Sequence, residues 1–388
     1  MQVNNSNLTY SEKPRYELLD GLRGVAALMV IWYHVFEGFC TSSMDQFLNH
    51  GYLAVDFFFM LSGFVVGYAY DDRWGSGGLT FKGFARRRLI RLHPMLLMGM
   101  LIGVVTYIIQ GCVHWDGTHV SGHWVAIAAV LSCFFVPAYP GAGHEVRGNG
   151  EMFPLNGPSW SLFFEYIANI LYALWLRRLS TRALIVWVCL SGIGLACYAL
   201  GNMSGFHHLG VGWTLADYGF IGGLLRVGFS FSLGMLMARV FRPLKVRGAF
   251  WICSVAIIGL LAVPFMGMDG AMWTNALYDV TCVVLLFPII LYVGASGVTS
   301  DSRSSAVCDF LGKISYPVYI IHYPFMYLFY AWVWAEELAF GDVWYVALGI
   351  VAGCIVLAYL CLKYYDEPVR RWLSSRCGKG RGAALAKA

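Results

Sequence analysis

The sequence predicts an all-α polytopic membrane protein, with about ten transmembrane helices and one re-entrant or interfacial helix. Three observations carry this. The chain is 59% hydrophobic and only 13% charged, with mean hydropathy +0.62, which leaves no room for a sizeable soluble domain. Apolar runs of about 18 to 23 residues recur from end to end, the length a bilayer crossing needs. The runs are continuously apolar, not alternating, which excludes a transmembrane β-barrel. The net charge of +5 does not point to nucleic acid, because the basic residues sort by loop. Eleven cysteines lie mostly within apolar runs and form no CxxC pair, so they read as small buried hydrophobes.

The apolar segments fall near 18–40, 51–70, 94–111, 123–138, 159–176, 183–201, 218–240, 249–267, 274–296, 313–334 and 343–364. The residues before Leu18 are polar and no small-residue cleavage pattern follows the first run, which therefore reads as an uncleaved signal anchor. Basic clusters test the topology. Lys13 and Arg15 precede the first segment, Arg86, Arg87, Arg88 and Arg91 follow the second, and Arg177, Arg178 and Arg182 follow the fifth. Arg239, Arg242, Lys245 and Arg247 follow the seventh, and the tail carries Arg370, Arg371, Arg376, Lys379, Arg381 and Lys387. The clusters share one side only if one segment fails to span. The weakest is 123–138, short and flanked by Pro137 and Pro140. Removing it leaves ten spans with both termini cytoplasmic. The corresponding division is a cytoplasmic segment 1–17, a membrane domain 18–366 and a basic tail 367–388.

Polar residues inside spans are costly and mark function or helix pairing. In the first span, Arg23 and His34 are eleven positions apart, on nearly the same helix face and roughly 16 Å apart along the axis. Arg23 falls near the cytoplasmic surface and His34 in the outer half. Counting residues places Asp56 and Glu165 at the depth of His34. Ser161, Glu165 and Asn169 share one face at i, i+4 and i+8. Each residue also has a bland reading: His34 as interhelical glue, Asp56 or Arg226 as paired structural charges, and His322, near Tyr319 and Pro324, as a satisfied histidine in a loosened helix. Arg88 and Arg91 serve as topology determinants or as anchors for phosphate. Six histidines in the outer segments (His114, His119, His123, His144, His207, His208) lack metal-ligand spacing, and no metal is expected.

Several stretches taken together resemble the membrane acyltransferase-3 family, bacterial integral-membrane O-acyltransferases. They are LDGLRGVAALMVIWYH with its Arg23-x10-His34 spacing, GYLAVDFFFMLSGF, Arg88-x-x-Arg91, PSWSLFFE at 158–165, ISYPVYIIHYP at 314–324, and Glu367-Pro368. The match runs over about residues 15 to 373. The resemblance implies an acyl-CoA co-substrate, usually acetyl-CoA, supplied from the cytoplasm, and an acceptor hydroxyl on a surface or exported glycan such as lipopolysaccharide. Carried over by position, Arg23, Arg88 and Arg91 would bind the CoA. His34 would be the catalytic histidine, with Glu165 and Asp56 nearby and Ser161, Asn169, Arg226, Tyr319 and His322 in support. The chain ends about 20 residues after Glu367-Pro368, so the resemblance implies the stand-alone form without a periplasmic hydrolase-like domain.

The residues suit that chemistry. A sugar hydroxyl is a poor nucleophile and needs a base, a histidine ordinarily titrates near neutrality, and a carboxylate such as Glu165 could orient its ring. His34 either deprotonates the acceptor for direct attack or is transiently acylated. Two alternatives stand beside this reading: the same chemistry on a small-molecule or lipid acceptor, and a proton-coupled secondary transporter using Asp56, Glu165 and His322. Neither the oligomeric state nor the acceptor is encoded legibly, and the loop 139–158 is the candidate acceptor gate.

Overall fold

A computed structural model describes residues 16–75, 78–267, 270–298 and 301–385. Lys13, Arg15 and Lys387, used in the charge argument, and all of segment 1–17 but its last two residues lie outside the described residues.

The described chain is mainly helical, with connecting loops and one short parallel strand pair, Val246–Arg247 with Gly297–Val298. Helix α1 is Glu17–Glu37, α2 Ala54–Gly75, α3 Phe81–Ile109, α4 Gly122–Cys133, α5 Ser159–Leu174, α6 Thr181–Leu200 and α7 Gly219–Val240. The second half adds α8 Ala249–Leu261, α9 Trp273–Thr281, α10 Phe287–Ala295, α11 Ser302–Ile321, α12 Tyr323–Ala335, α13 Phe340–Cys361 and α14 Glu367–Leu385. Seven stretches among the described residues are long and apolar enough to cross a membrane: Glu17–Glu37, His50–Trp74, Phe81–Ile109, Thr181–Leu200, Gly219–Val240, Trp273–Ala295 and Phe340–Arg376. The segment expected not to span is the twelve-residue α4, which at about 1.5 Å per residue is too short for a bilayer.

Several boundaries differ from the apolar pattern. Helix α3 begins at Phe81, thirteen residues before the expected 94, because Thr80 caps it by accepting a bond from the Gly83 amide at 3.1 Å. The arginine cluster is therefore part of the helix. The expected span 313–334 is divided at His322, where Pro324 in the first turn of α12 cannot donate back to α11. One-turn π segments, Cys282–Leu286 and Leu362–Asp366, join α9 to α10 and α13 to α14. The boundary drawn at 367 thus falls inside a continuous helical rod.

Two glycine-mediated pairs set the frame. A Cβ on Gly63 of α2 would lie 1.9 Å from the Phe231 carbonyl of α7, and one on Gly234 of α7 would lie 2.0 Å from the Met60 carbonyl of α2. In the same way a Cβ on Gly24 of α1 would meet Leu311 O of α11 at 2.5 Å. Close backbone approach through small residues is how membrane helices gain packing when burial from water offers none. Helix α1 therefore lies against α11, and its Arg23 and His34 both meet residues from that side.

Candidate active site

The arginine end of α1 opens on a cavity of about 1130 Å³. On α2 its lining runs as a stripe from Val55 through Phe58, Ser62 and Val65 to Arg73, roughly 27 Å at 1.5 Å per residue. Arg23, Arg87, Arg88, Arg91, Lys313, Arg370 and Arg371 line it, against the acidic Asp20, Glu165, Asp366 and Glu367. The excess is positive. Arg23 gives its Nε to Ser315 Oγ at 2.9 Å and pairs with Asp20 at 3.0 Å. Arg88 is buried and gives Nη2 to Glu165 at 2.6 Å. Arg87 and Arg91 are exposed and have no carboxylate partner among the described residues. Sequence reasoning passed over Arg87 and the tail arginines Arg370 and Arg371, which belong to this wall.

At the other end of α1 stands His34, 17% exposed. Its Nδ1 lies 2.7 Å from Glu37 Oε2, one helical turn along the same face. A carboxylate only accepts, so Nδ1 is the donor, and in the neutral ring Nε2 keeps the lone pair. The Tyr330 hydroxyl sits 2.5 Å from the His34 carbonyl and 2.9 Å from the same Glu37 oxygen, holding the dyad to α12. Ring contacts to Tyr323 at 4.5 Å and His322 at 5.5 Å complete the surround. His322 is fully buried, with Nδ1 2.8 Å from the Tyr319 carbonyl and Nε2 buried without a partner among the described residues.

Glu165 does not lie at the depth expected for it beside Asp56. Glu165 faces the arginine cavity, bonded to Arg88 and, at 2.7 Å, to Ser62, which is six residues along α2 from Asp56. The reason is the loop before α5. Residues 151–156 are buried against α3, where a Cβ on Gly103 would lie 2.1 Å from the Leu155 carbonyl, and Asn156 donates to Ile320 O at 2.8 Å. Helix α5 therefore starts inside the protein, and counting from an apolar edge misplaces Glu165. Glu37, which the sequence reading missed, takes the orienting position.

Asp56 is fully buried in a two-pronged pair with Arg226, Nη2 to Oδ2 at 2.7 Å and Nε at 3.1 and 3.2 Å. Arg226 also donates to the carbonyls of Val211 and Tyr52. The paired-charge reading of Arg226 is the one realised, and Asp56 is its counterion. On α5, Ser161 bonds the Tyr319 hydroxyl at 2.7 Å and Asn169 donates to the Glu165 carbonyl at 2.7 Å, so the expected common face is formed.

The loop 139–158 is held from within. Arg147 is fully buried, stacked 3.7 Å from the Tyr327 ring centroid, and it donates to the Pro154 carbonyl at 2.9 Å and to Gln110. The Tyr327 hydroxyl donates to Glu151. Burial pushes the Glu151 carboxyl up to about 7, opposed by the Tyr327 and Asn149 hydrogen bonds.

A basic cavity thus stands at one end of α1 and a carboxylate-paired imidazole at the other. The chain belongs to the acyltransferase-3 family, whose acyltransferase domain matches residues 16–362. It is similar to the acyltransferase MdmB of Streptomyces mycarofaciens, 27% identical over 93% of each chain. It is similar as well to protein 2 of the picA locus of Rhizobium radiobacter, 31% identical over 48% of this chain and 96% of that one. A Staphylococcus aureus protein with the provisional name O-acetyltransferase is 26% identical over 91% of this chain and 57% of its own length. No solved structure matches the chain. The protein is thus a membrane acyltransferase, an enzyme, and the transporter reading is set aside.

Proposed function

We propose that the protein transfers an acyl group, acetyl first, from acyl-CoA to a hydroxyl of a surface or exported glycan across the bacterial inner membrane. With both termini cytoplasmic, as the basic clusters predict, the arginine cavity lies on the donor side and His34 toward the acceptor. The observation that carries the reading is the placement of a cation-rich cavity and a Glu37-oriented His34 at opposite ends of α1. The cavity volume exceeds the roughly 300–1000 Å³ of ordinary small-molecule sites, as a nucleotide-bearing thioester requires. Arg87 and Arg91, without carboxylate partners among the described residues, suit phosphate, and Arg23 and Arg88 shape the wall beside them.

In the reaction, His34 Nε2 takes the proton as the acceptor oxygen bonds the thioester carbonyl carbon. The C–S bond then breaks, and the imidazolium, stabilised by Glu37, returns the proton to the departing thiolate. Direct transfer predicts no acyl-protein when labelled acetyl-CoA is given without acceptor. The primary test is His34→Ala in folded, membrane-inserted protein. Transfer to surface glycans, read by mass spectrometry, should fall by about 10²- to 10⁴-fold while CoA binding persists. Glu37→Gln should fall less, by about tenfold or more, since Gln keeps the hydrogen bond and loses the charge. Normal transfer by His34→Ala would remove the assignment.

A further inference from the structure

The cavity stops short of the histidine. Its α1 lining ends at Arg23, and on α11 it ends at Tyr319, one turn before His322. At that end the lining is Val55, Phe58, Phe59, Leu162 and Tyr319, without a charged side chain. The Phe58 and Tyr319 rings meet edge to face at 5.4 Å. Tyr319 is 7% exposed, and its hydroxyl is held by Ser161, which is itself anchored to the Pro158 carbonyl at 2.9 Å. Beyond the pair, Tyr319 contacts His322 at 6.0 Å and His322 contacts His34 at 5.5 Å. Phe58 packs against both the larger core around α1, α2 and α7 and the smaller one around α1, α12 and α13, so it sits on their seam.

Resting on the acyl-CoA reading above, we infer that Phe58 and Tyr319 form the floor of the donor cavity and set the length of acyl group it admits. A cavity with cations at its mouth and an aromatic floor accepts a ligand with an anionic head and a short apolar end. The pantetheine arm runs along the α2 stripe. The thioester reaches the floor with its carbonyl toward His34 and its acyl group laid against the Phe58–Tyr319 edge, where a short acyl group fits. Each further methylene meets packed rings and costs affinity, because a well-packed interior resists added volume. Tyr319 is a positioning residue here, kept upright by Ser161.

The test titrates full-length protein in lipid nanodiscs with CoA, acetyl-CoA, butyryl-CoA and octanoyl-CoA. Wild type should bind acetyl-CoA as tightly as CoA and lose about tenfold or more by octanoyl-CoA. Phe58→Ala should narrow the acetyl-to-octanoyl ratio, each affinity normalised to that of CoA, about tenfold. A ratio normalised to CoA is not moved by general loss of structure. Should Phe58→Ala fail to bind CoA, Phe58→Leu carries the same comparison with a smaller expected narrowing. Equal wild-type affinity across the series, or an unchanged ratio in the variant that folds, would overturn the floor while leaving the donor reading intact. Absence of CoA binding by wild type would overturn both.

Discussion

Asp56 and Arg226 show how a single residue's function depends on what stands opposite. A carboxylate at membrane depth needs a proton or a partner, and both of its oxygens here face one guanidinium that also donates to two carbonyls. Removing one partner leaves an uncompensated buried charge, at a cost of about 3–5 kcal/mol, whereas replacing both by apolar residues of similar size is often neutral. Asp56→Leu and Arg226→Met singly should therefore lower the melting temperature and yield of detergent-purified protein, and the double variant should recover most of both and retain acyl transfer. A double variant that is well folded but inactive would show that Asp56 has a chemical role after all. His34 differs in kind: its partner Glu37 lies on its own helix, so the dyad is orientation built into one turn.

At the scale of elements, the legible parts were those governed by local periodicity, and the illegible parts were those governed by what a loop does in three dimensions. The Arg23–His34 face and the Ser161–Glu165–Asn169 face follow from 3.6 residues per turn. The exclusion of α4 as a span follows from its length. Glu37 was readable by the same rule, three residues from His34, but at the edge of an apolar run it passes for a flanking charge. The depth of Glu165 was not readable, because no composition signal tells that residues 151–156 enter the bundle before α5 begins.

That loop carries a pH dependence of its own. The folded-state pKa of Glu151, about 7, lies above the ordinary carboxylate value of 4.5, so between those values the folded protein binds more protons than the unfolded one. Stability then falls as pH rises from about 4.5 to about 7 and levels off above. With Glu151 6% exposed, the loss is on the order of 3 kcal/mol. Glu151→Gln should flatten that part of the profile in thermal melts from pH 5 to 8. A variant profile that keeps the wild-type slope would mean another group carries it.

The whole molecule is organised along one helix. Glycine contacts press α1 against α11, so Arg23 engages Ser315 on one side of Tyr319 while His34 meets His322 on the other. The cavity that Arg23 lines ends at Tyr319 and does not take in His34. On the proposed donor reading this gives the reaction a direction. The phosphates of CoA are too highly charged to cross the apolar end of the cavity, so the thioester approaches His34 from the arginine side and CoA leaves by the mouth it entered. In sealed inside-out membrane vesicles, added acetyl-CoA should support acylation of acceptor held in the lumen. Right-side-out vesicles should give less than about a tenth of that rate until they are permeabilised, because steering and binding by Arg87 and Arg91 act only from their own side. Equal rates in intact vesicles of both orientations would mean the donor reaches His34 from the far end, and the assignment of the arginine cavity to the donor would fall with it.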